Sequence, residues 1–72
     1  MITILGLREL LMRKEKGESM PKTWREDVKK YLRNKVLMLS RVENEKKKKE
    51  VLLQFEEAKS IAVFLGVKEN EW

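Results

Sequence analysis

The chain has 72 residues, of which 40% are charged, and a net charge of +5. A chain this short forms one domain at most, and it buries only about 60% of the surface that its unfolded form exposes. Because it contains no Cys and no His, it lacks disulfides, the common zinc ligands and the usual nucleophile and base, so we expect a non-enzymatic protein without metal or cofactor.

The N-terminal segment is predicted to form a helix within residues 1–15. Its apolar side chains fall on one helical face: Ile4, Leu7, Leu10 and Leu11. Gly6 interrupts this pattern, and the β-branched residues before it would also suit a short strand. We therefore predict helix from about residue 5 and leave the first four residues open.

Residues 16–22 are predicted to be a turn between two helices. Their glycine can adopt the left-handed conformation that ends a helix, and Pro21 suits the first turn of the next one. Ser19 or Thr23 could cap that helix. Thr23 and Glu26 have the spacing of a capping box, which favours a start at Thr23.

Residues 23–43 are predicted to be a long amphipathic helix. One face is apolar throughout: Trp24, Val28, Tyr31, Leu32, Val36 and Leu39. Its two aromatic residues, Trp24 and Tyr31, could stack on nucleic-acid bases if they were exposed. Because they share the helix face of the aliphatic residues, packing in a core is favoured.

A row of cations follows another side of the same helix: Lys22, Arg25, Lys29 and Arg33. Spacings of three and four residues place such side chains on one side of a helix, where they could contact the phosphates of a nucleic acid. Glu26 beside the row weakens its positive field. The alternative is an ordinary solvated helix face.

Residues 44–66 are predicted to form a third helix. Its apolar face consists of Val51, Leu52, Phe55, Ala58, Ala62 and Leu65. Asn44 is the best candidate for a break, although one continuous helix over residues 23–65 stays open, and Gly66 is placed to end the helix. The tail, residues 67–72, is expected to be loosely held, with a terminal Trp large enough to dock.

A lysine run at the start of this third helix is a second candidate phosphate-binding site: Lys46, Lys47, Lys48 and Lys49. Four consecutive residues point in all directions around a helix, so they form one docking face only if the segment is a loop. Glu45 and Glu50 partly neutralise them, and solvated ion pairs along a helix would also explain the run.

Four apolar residues lie off the two main apolar faces: Leu37, Met38, Leu53 and Ile61. Two long helices packed through one seam would leave these side chains exposed. The sequence therefore predicts an all-α fold in which a short N-terminal helix precedes an antiparallel helical hairpin, assembled into a homodimer or higher oligomer through these residues.

Two functions are compatible with this pattern. The favoured one is a nucleic-acid-binding (DNA-binding or RNA-binding) or regulatory protein that contacts phosphates from an oligomer. The alternative is an adaptor that binds a protein partner through its surplus apolar surface. A helix-turn-helix formed by residues 5–15 and 23–41 has few side chains suited to base readout. No segment is apolar enough to span a bilayer, and no secretory signal is apparent, so we expect a cytoplasmic protein. Abundant Lys and Glu would suit a thermophilic source.

Overall fold

The structure, a computed structural model, describes residues 2–72, apart from the side chain of Glu71. It contains three α-helices: α1 (Ile4–Lys16), α2 (Trp24–Arg41) and α3 (Glu45–Leu65). A short 3-10 turn, Glu69–Glu71, follows them. No strand occurs in the described part of the chain, and α3 packs closely against both α1 and α2. The all-helical fold predicted from the sequence is thus confirmed.

The first helix begins at Ile4 because Thr3 caps it. The Thr3 hydroxyl oxygen accepts a hydrogen bond from the backbone N–H of Gly6 at 3.3 Å. Gly6 lies inside the helix rather than interrupting it. A Cβ added there would come within 2.6 Å of Cγ1 of Ile2, so the glycine lets the Ile2 side chain lie against the helix. Residues 2–5 therefore lead into and begin a helix and do not form a strand, while Met1 lies outside the described residues.

The turn between α1 and α2 uses Gly17 but not the expected capping box. Gly17 has a φ of 72°, and the N–H of Glu18 donates to the Arg13 carbonyl at 2.9 Å. Thr23 precedes α2 but makes no side-chain cap. Its hydroxyl instead donates to the Asp27 carboxylate at 3.2 Å, and this competing bond replaces the one predicted from the Thr23 and Glu26 spacing.

Asn44 separates α2 from α3. Its side-chain oxygen accepts hydrogen bonds from the backbone N–H groups of Lys46 at 2.9 Å and Lys47 at 3.2 Å. Two of the N–H groups that a helix start leaves unpaired are thereby satisfied. Residues 23–65 consequently form two helices rather than one.

The core lies where α3 meets the other two helices. Its buried residues are Leu7, Leu10, Val28, Tyr31, Leu32, Ala58, Ile61, Ala62, Leu65 and Val67. Ile61 is only 4% exposed, so its assignment to an exposed interface is wrong. A pair of packed helices would leave Ile61 exposed. In the structure α1 also packs on α3 and helps to enclose the core that contains Ile61.

The C-terminal tail packs against the core. The N–H of Val67 donates to the Ala62 carbonyl at 2.8 Å, and the Val67 side chain is buried. The ring of Trp72 meets the ring of Phe55 edge to face, with 5.9 Å between their centroids. The docking expected for the terminal Trp is therefore confirmed. The expectation of a loosely held tail is wrong for Val67, because this side chain supplies apolar area that the small core can bury.

Candidate functional site

Two of the four cations in the predicted row are engaged within the chain. The guanidinium of Arg25 lies over the Trp24 ring, 4.9 Å from its centroid, and Nη1 of Arg25 donates to the Gly66 carbonyl at 3.5 Å. The ammonium of Lys29 lies 3.6 Å from the Glu26 carboxylate, and only 16% of the Lys29 side chain is exposed. These contacts use cations that a phosphate would otherwise bind.

The other two members of the row, Lys22 and Arg33, are exposed. They are eleven residues apart, and Lys22 lies in the turn before α2. The row therefore exposes only two well-separated cations, Lys22 and Arg33. The cations between them are partly shielded from solvent. The sequence spacing predicts that the cations share one side of the helix. It could not predict the contacts of Arg25 and Lys29 with other groups of the chain.

The lysine run is exposed and helical. Lys46, Lys47, Lys48 and Lys49 all lie in the first two turns of α3, and none is shielded from solvent. Because consecutive residues on a helix turn by about 100°, these ammonium groups surround the end of α3 rather than forming one flat face. The arrangement concentrates positive charge at this end of a molecule about 40 Å long.

Large apolar side chains remain exposed on the outside of the bundle. Leu37, Met38 and Leu53, three of the predicted interface residues, are among them. Leu52, which the sequence prediction placed on the packed face of the third helix, is also exposed, as is Val36 on the apolar face of α2. Both lie at the edge of their apolar faces by helical phase, which agrees with their exposure.

One side of α3 carries what we call the outer stripe: Leu52, Leu53, Glu56, Ser60, Val63 and Phe64, all of them exposed. Leu52 and Val63 are eleven residues apart, as are Leu53 and Phe64, which is close to three helical turns. The sequence prediction missed Val63 and Phe64, although this spacing could have identified them.

An ion pair between α1 and α3 was also missed by the sequence prediction. Nε and Nη2 of Arg8 lie 2.5 and 2.9 Å from the two carboxylate oxygens of Glu57. The hydrogen bond from Arg8 lowers the pKa of Glu57, and the same contact raises the pKa of Arg8. Burial chiefly raises the pKa of nearby Tyr31. The pair fixes α1 against α3, beside the outer stripe.

This ion pair predicts a pH-dependent contribution to stability. The folded-state pKa of Glu57 lies below its ordinary value of 4.5, so the contribution is present above that pH and is lost as the pH falls through the folded-state pKa. We expect Arg8→Met to lower the free energy of unfolding modestly at neutral pH and not at strongly acid pH. Urea titrations across this range measure the difference.

Arg13→Met is the matched control for that prediction. Arg13 pairs with Glu9 on its own helix at 3.6 Å, so the substitution removes an exposed ion pair without separating α1 from α3. A pH dependence that is the same for both variants would contradict the role given to Arg8 and Glu57.

The described residues contain neither a metal-binding cluster nor a helix that could span a membrane, and no known protein matches the chain. Within the described residues, no group of three or more acidic side chains is placed to hold a metal ion. None of the helices in this part of the chain combines the length and apolar character needed to cross a bilayer. No protein-family model matches the sequence, and neither the curated proteins nor the solved structures give a match.

Proposed function

We propose that this protein is a non-enzymatic helical assembly module whose outer stripe binds a second copy of the chain. The observation that carries the proposal is the exposure of four large apolar side chains, between 44 and 70%, on one side of α3: Leu52, Leu53, Val63 and Phe64. The four side chains form two apolar pairs on either side of a polar centre, and exposed apolar surface of this kind marks interaction sites in small proteins. Burial in an assembly also adds to the small stability that a chain of 72 residues can have by itself.

A second copy suits the outer stripe because the stripe is self-complementary. When two α3 helices cross antiparallel about a two-fold axis near position 58, Leu52 opposes Phe64 of the other copy and Leu53 opposes Val63. The polar centre is matched as well, since the Ser60 hydroxyl can donate to the Glu56 carboxylate across the axis. A two-fold interface requires this reciprocal pairing.

Within each copy, we infer that α2 and α3 form an antiparallel hairpin. The Lys35 ammonium donates to Oε1 of Gln54 at 2.6 Å, near the connection between the helices. Arg25, near the start of α2, reaches the Gly66 carbonyl just after the end of α3. Contacts at both ends support opposite helix directions, in which the outer stripe faces away from α2.

The substitution Leu53→Glu tests the assembly. Leu53 is 70% exposed, so the substitution leaves the core intact but places a charge in the proposed interface. We expect size-exclusion chromatography with light scattering to give a dimer or larger species for the wild type and the 8.6 kDa monomer for the variant. Circular dichroism shows whether the variant keeps its helices.

Leu5→Glu is the matched control, because Leu5 is 67% exposed on α1 and lies outside the outer stripe. It should leave the mass unchanged. A wild type that is monomeric at micromolar concentration, or an assembly that Leu53→Glu does not weaken, would contradict the proposal.

A second candidate function is phosphate binding by the assembled protein. It is favoured by the exposure of the lysine run, residues 46–49, together with Lys22 and Arg33. Lysines bind phosphate as point charges without reading base sequence. An assembly would repeat these groups on each copy, which raises affinity for a long polyanion through multivalency.

Salt dependence tests this second function. We expect the wild type to bind mixed-sequence duplex DNA with a log affinity that falls linearly with log salt. Replacing the four lysines by Gln should reduce the slope by about 0.9 for each phosphate that the variant no longer neutralises. Fluorescence anisotropy measures both quantities. The matched control replaces Lys14, Lys16, Lys30 and Lys68, which lie outside the two basic clusters, and an equal loss in both variants would show only a nonspecific charge effect.

A further inference from the structure

A groove of about 850 Å³ lies between the start of α1, α2 and α3, separate from the outer stripe. Its walls come from four parts of the chain: the residues that start α1, α2 from Tyr31 onward, the connection between α2 and α3, and the first half of α3. None of the six residues of the outer stripe lines it. Its volume lies within the range of small-molecule sites in proteins, which is roughly 300–1,000 Å³.

The groove has an apolar lining along much of its length. Ile2 and Ile4 contribute from the start of α1, and Met38 and Val42 contribute from the end of α2 and the residue after it. Ile2, Ile4 and Val42 are half-buried, while Met38 is exposed. Methionine and branched aliphatic side chains are well suited to contact an alkyl chain, because they offer dispersion contacts without directional requirements.

Cations border this apolar lining. The lining includes three cationic side chains and one carboxylate: Lys35, Arg41 and Lys47, and Glu43. Within the described part of the chain, the side chains of Arg41 and Lys47 have no ion-pair or hydrogen-bond partner. Lys35 already donates to Gln54 and lies over the Tyr31 ring, 5.1 Å from its centroid. The two cations without partners are therefore the ones that can bind an anion.

We propose that this groove binds a long-chain carboxylate. The alkyl chain lies along Ile2, Met38 and Val42, and the carboxylate is bound by Arg41 and Lys47. An apolar lining beside an excess of positive charge complements a molecule with an apolar body and one anionic end. A nucleic acid would use the cations but would leave the apolar lining without a partner.

Calorimetric titration of the intact chain with dodecanoate, below its critical micelle concentration, tests the proposal. Two probes separate the contributions: acetate has the carboxylate without the chain, and dodecyltrimethylammonium has the chain with the opposite charge. We expect saturable binding of dodecanoate with one site per chain, and binding at least about tenfold weaker for each of the other two.

Matched substitutions locate the site. Lys47→Glu should weaken dodecanoate binding by about tenfold or more, whereas Lys48→Glu should leave it nearly unchanged. Both lysines are exposed in the first turn of α3, where a glutamate favours the helix, so both variants are expected to fold. Met38→Asp should likewise weaken binding, with Met12→Asp, at an exposed methionine of α1, as its control.

Three results would overturn the proposal: no saturable binding of dodecanoate, equal binding of the trimethylammonium probe, or equal losses for Lys47→Glu and Lys48→Glu. The test is independent of the proposed assembly, because Leu53→Glu protein retains the groove. If dodecanoate binds that variant as tightly as it binds the wild type, the groove acts within a single copy.

Discussion

We expect that mixing Leu53→Glu protein with Val63→Lys protein restores an assembly that neither variant forms alone. In the proposed antiparallel pairing, the carboxylate introduced at position 53 of one copy meets the ammonium introduced at position 63 of the other. At the opposite end of the interface the original Val63 and Leu53 still pack together. The mixture therefore replaces one apolar contact by an ion pair, whereas each variant alone places two identical charges against apolar side chains. Light scattering of the mixture and of each separate variant measures the effect.

The positions of the two charges decide whether rescue occurs. A mixture of Leu53→Glu with Leu5→Lys should stay monomeric, because Leu5 lies on α1 and outside the outer stripe. Rescue by that mixture would show that any pair of opposite charges suffices. Failure of the Leu53→Glu and Val63→Lys mixture, with both variants folded, would contradict the pairing of position 53 with position 63.

Leu32→Ala is expected to unfold much of the protein at physiological temperature. Leu32 is fully buried in the core between the helices, and truncation of a buried leucine costs about 2–5 kcal/mol. A core of this size supplies only about 3–5 kcal/mol in total. Each kcal/mol shifts the Tm of such a domain by roughly 4–8 °C, so thermal denaturation followed by circular dichroism should show a fall of at least about 10 °C.

Leu37→Ala makes the same chemical change on the same helix at a side chain that is about half exposed. Its Tm should fall by only a few degrees, since surface substitutions usually change stability by about 0.5 kcal/mol or less. Comparable losses for the two variants would mean that Leu32 does not occupy the core as described.

The helical fold could be predicted from the sequence because its signals are local. The apolar period of α2 is set by residues three or four positions apart, and Asn44 and Gly66 cap helix ends that lie beside them. The structure contains three helices as expected. The burial of Ile61 could not be predicted, since the core that contains it also includes residues of α1, which is distant in sequence. The Arg8 and Glu57 pair is separated by 49 positions, and no local pattern indicates it.

The candidate surfaces were predicted unevenly for the same reason. Leu53 lies off the apolar face of its own helix, so its exposure follows from the helical period alone. Spacing also placed Arg25 and Lys29 on one side of α2. The spacing could not predict that Arg25 lies over the Trp24 ring and donates to the Gly66 carbonyl. The hydrogen bond to Gly66 depends on where α3 ends relative to α2.

The most direct test of the proposed assembly is the distance between two copies of one spin label. The chain has no Cys, so Lys48→Cys provides a single labelling position, exposed and outside the outer stripe. Pairing about position 58 places the two labelled residues twenty positions apart along the crossed helices, which is about 30 Å at 1.5 Å per residue. We expect pulsed electron paramagnetic resonance to give a distance distribution centred near that value. A distance near the roughly 10 Å of parallel helices, or no intermolecular distance at all, would contradict the antiparallel pairing of α3.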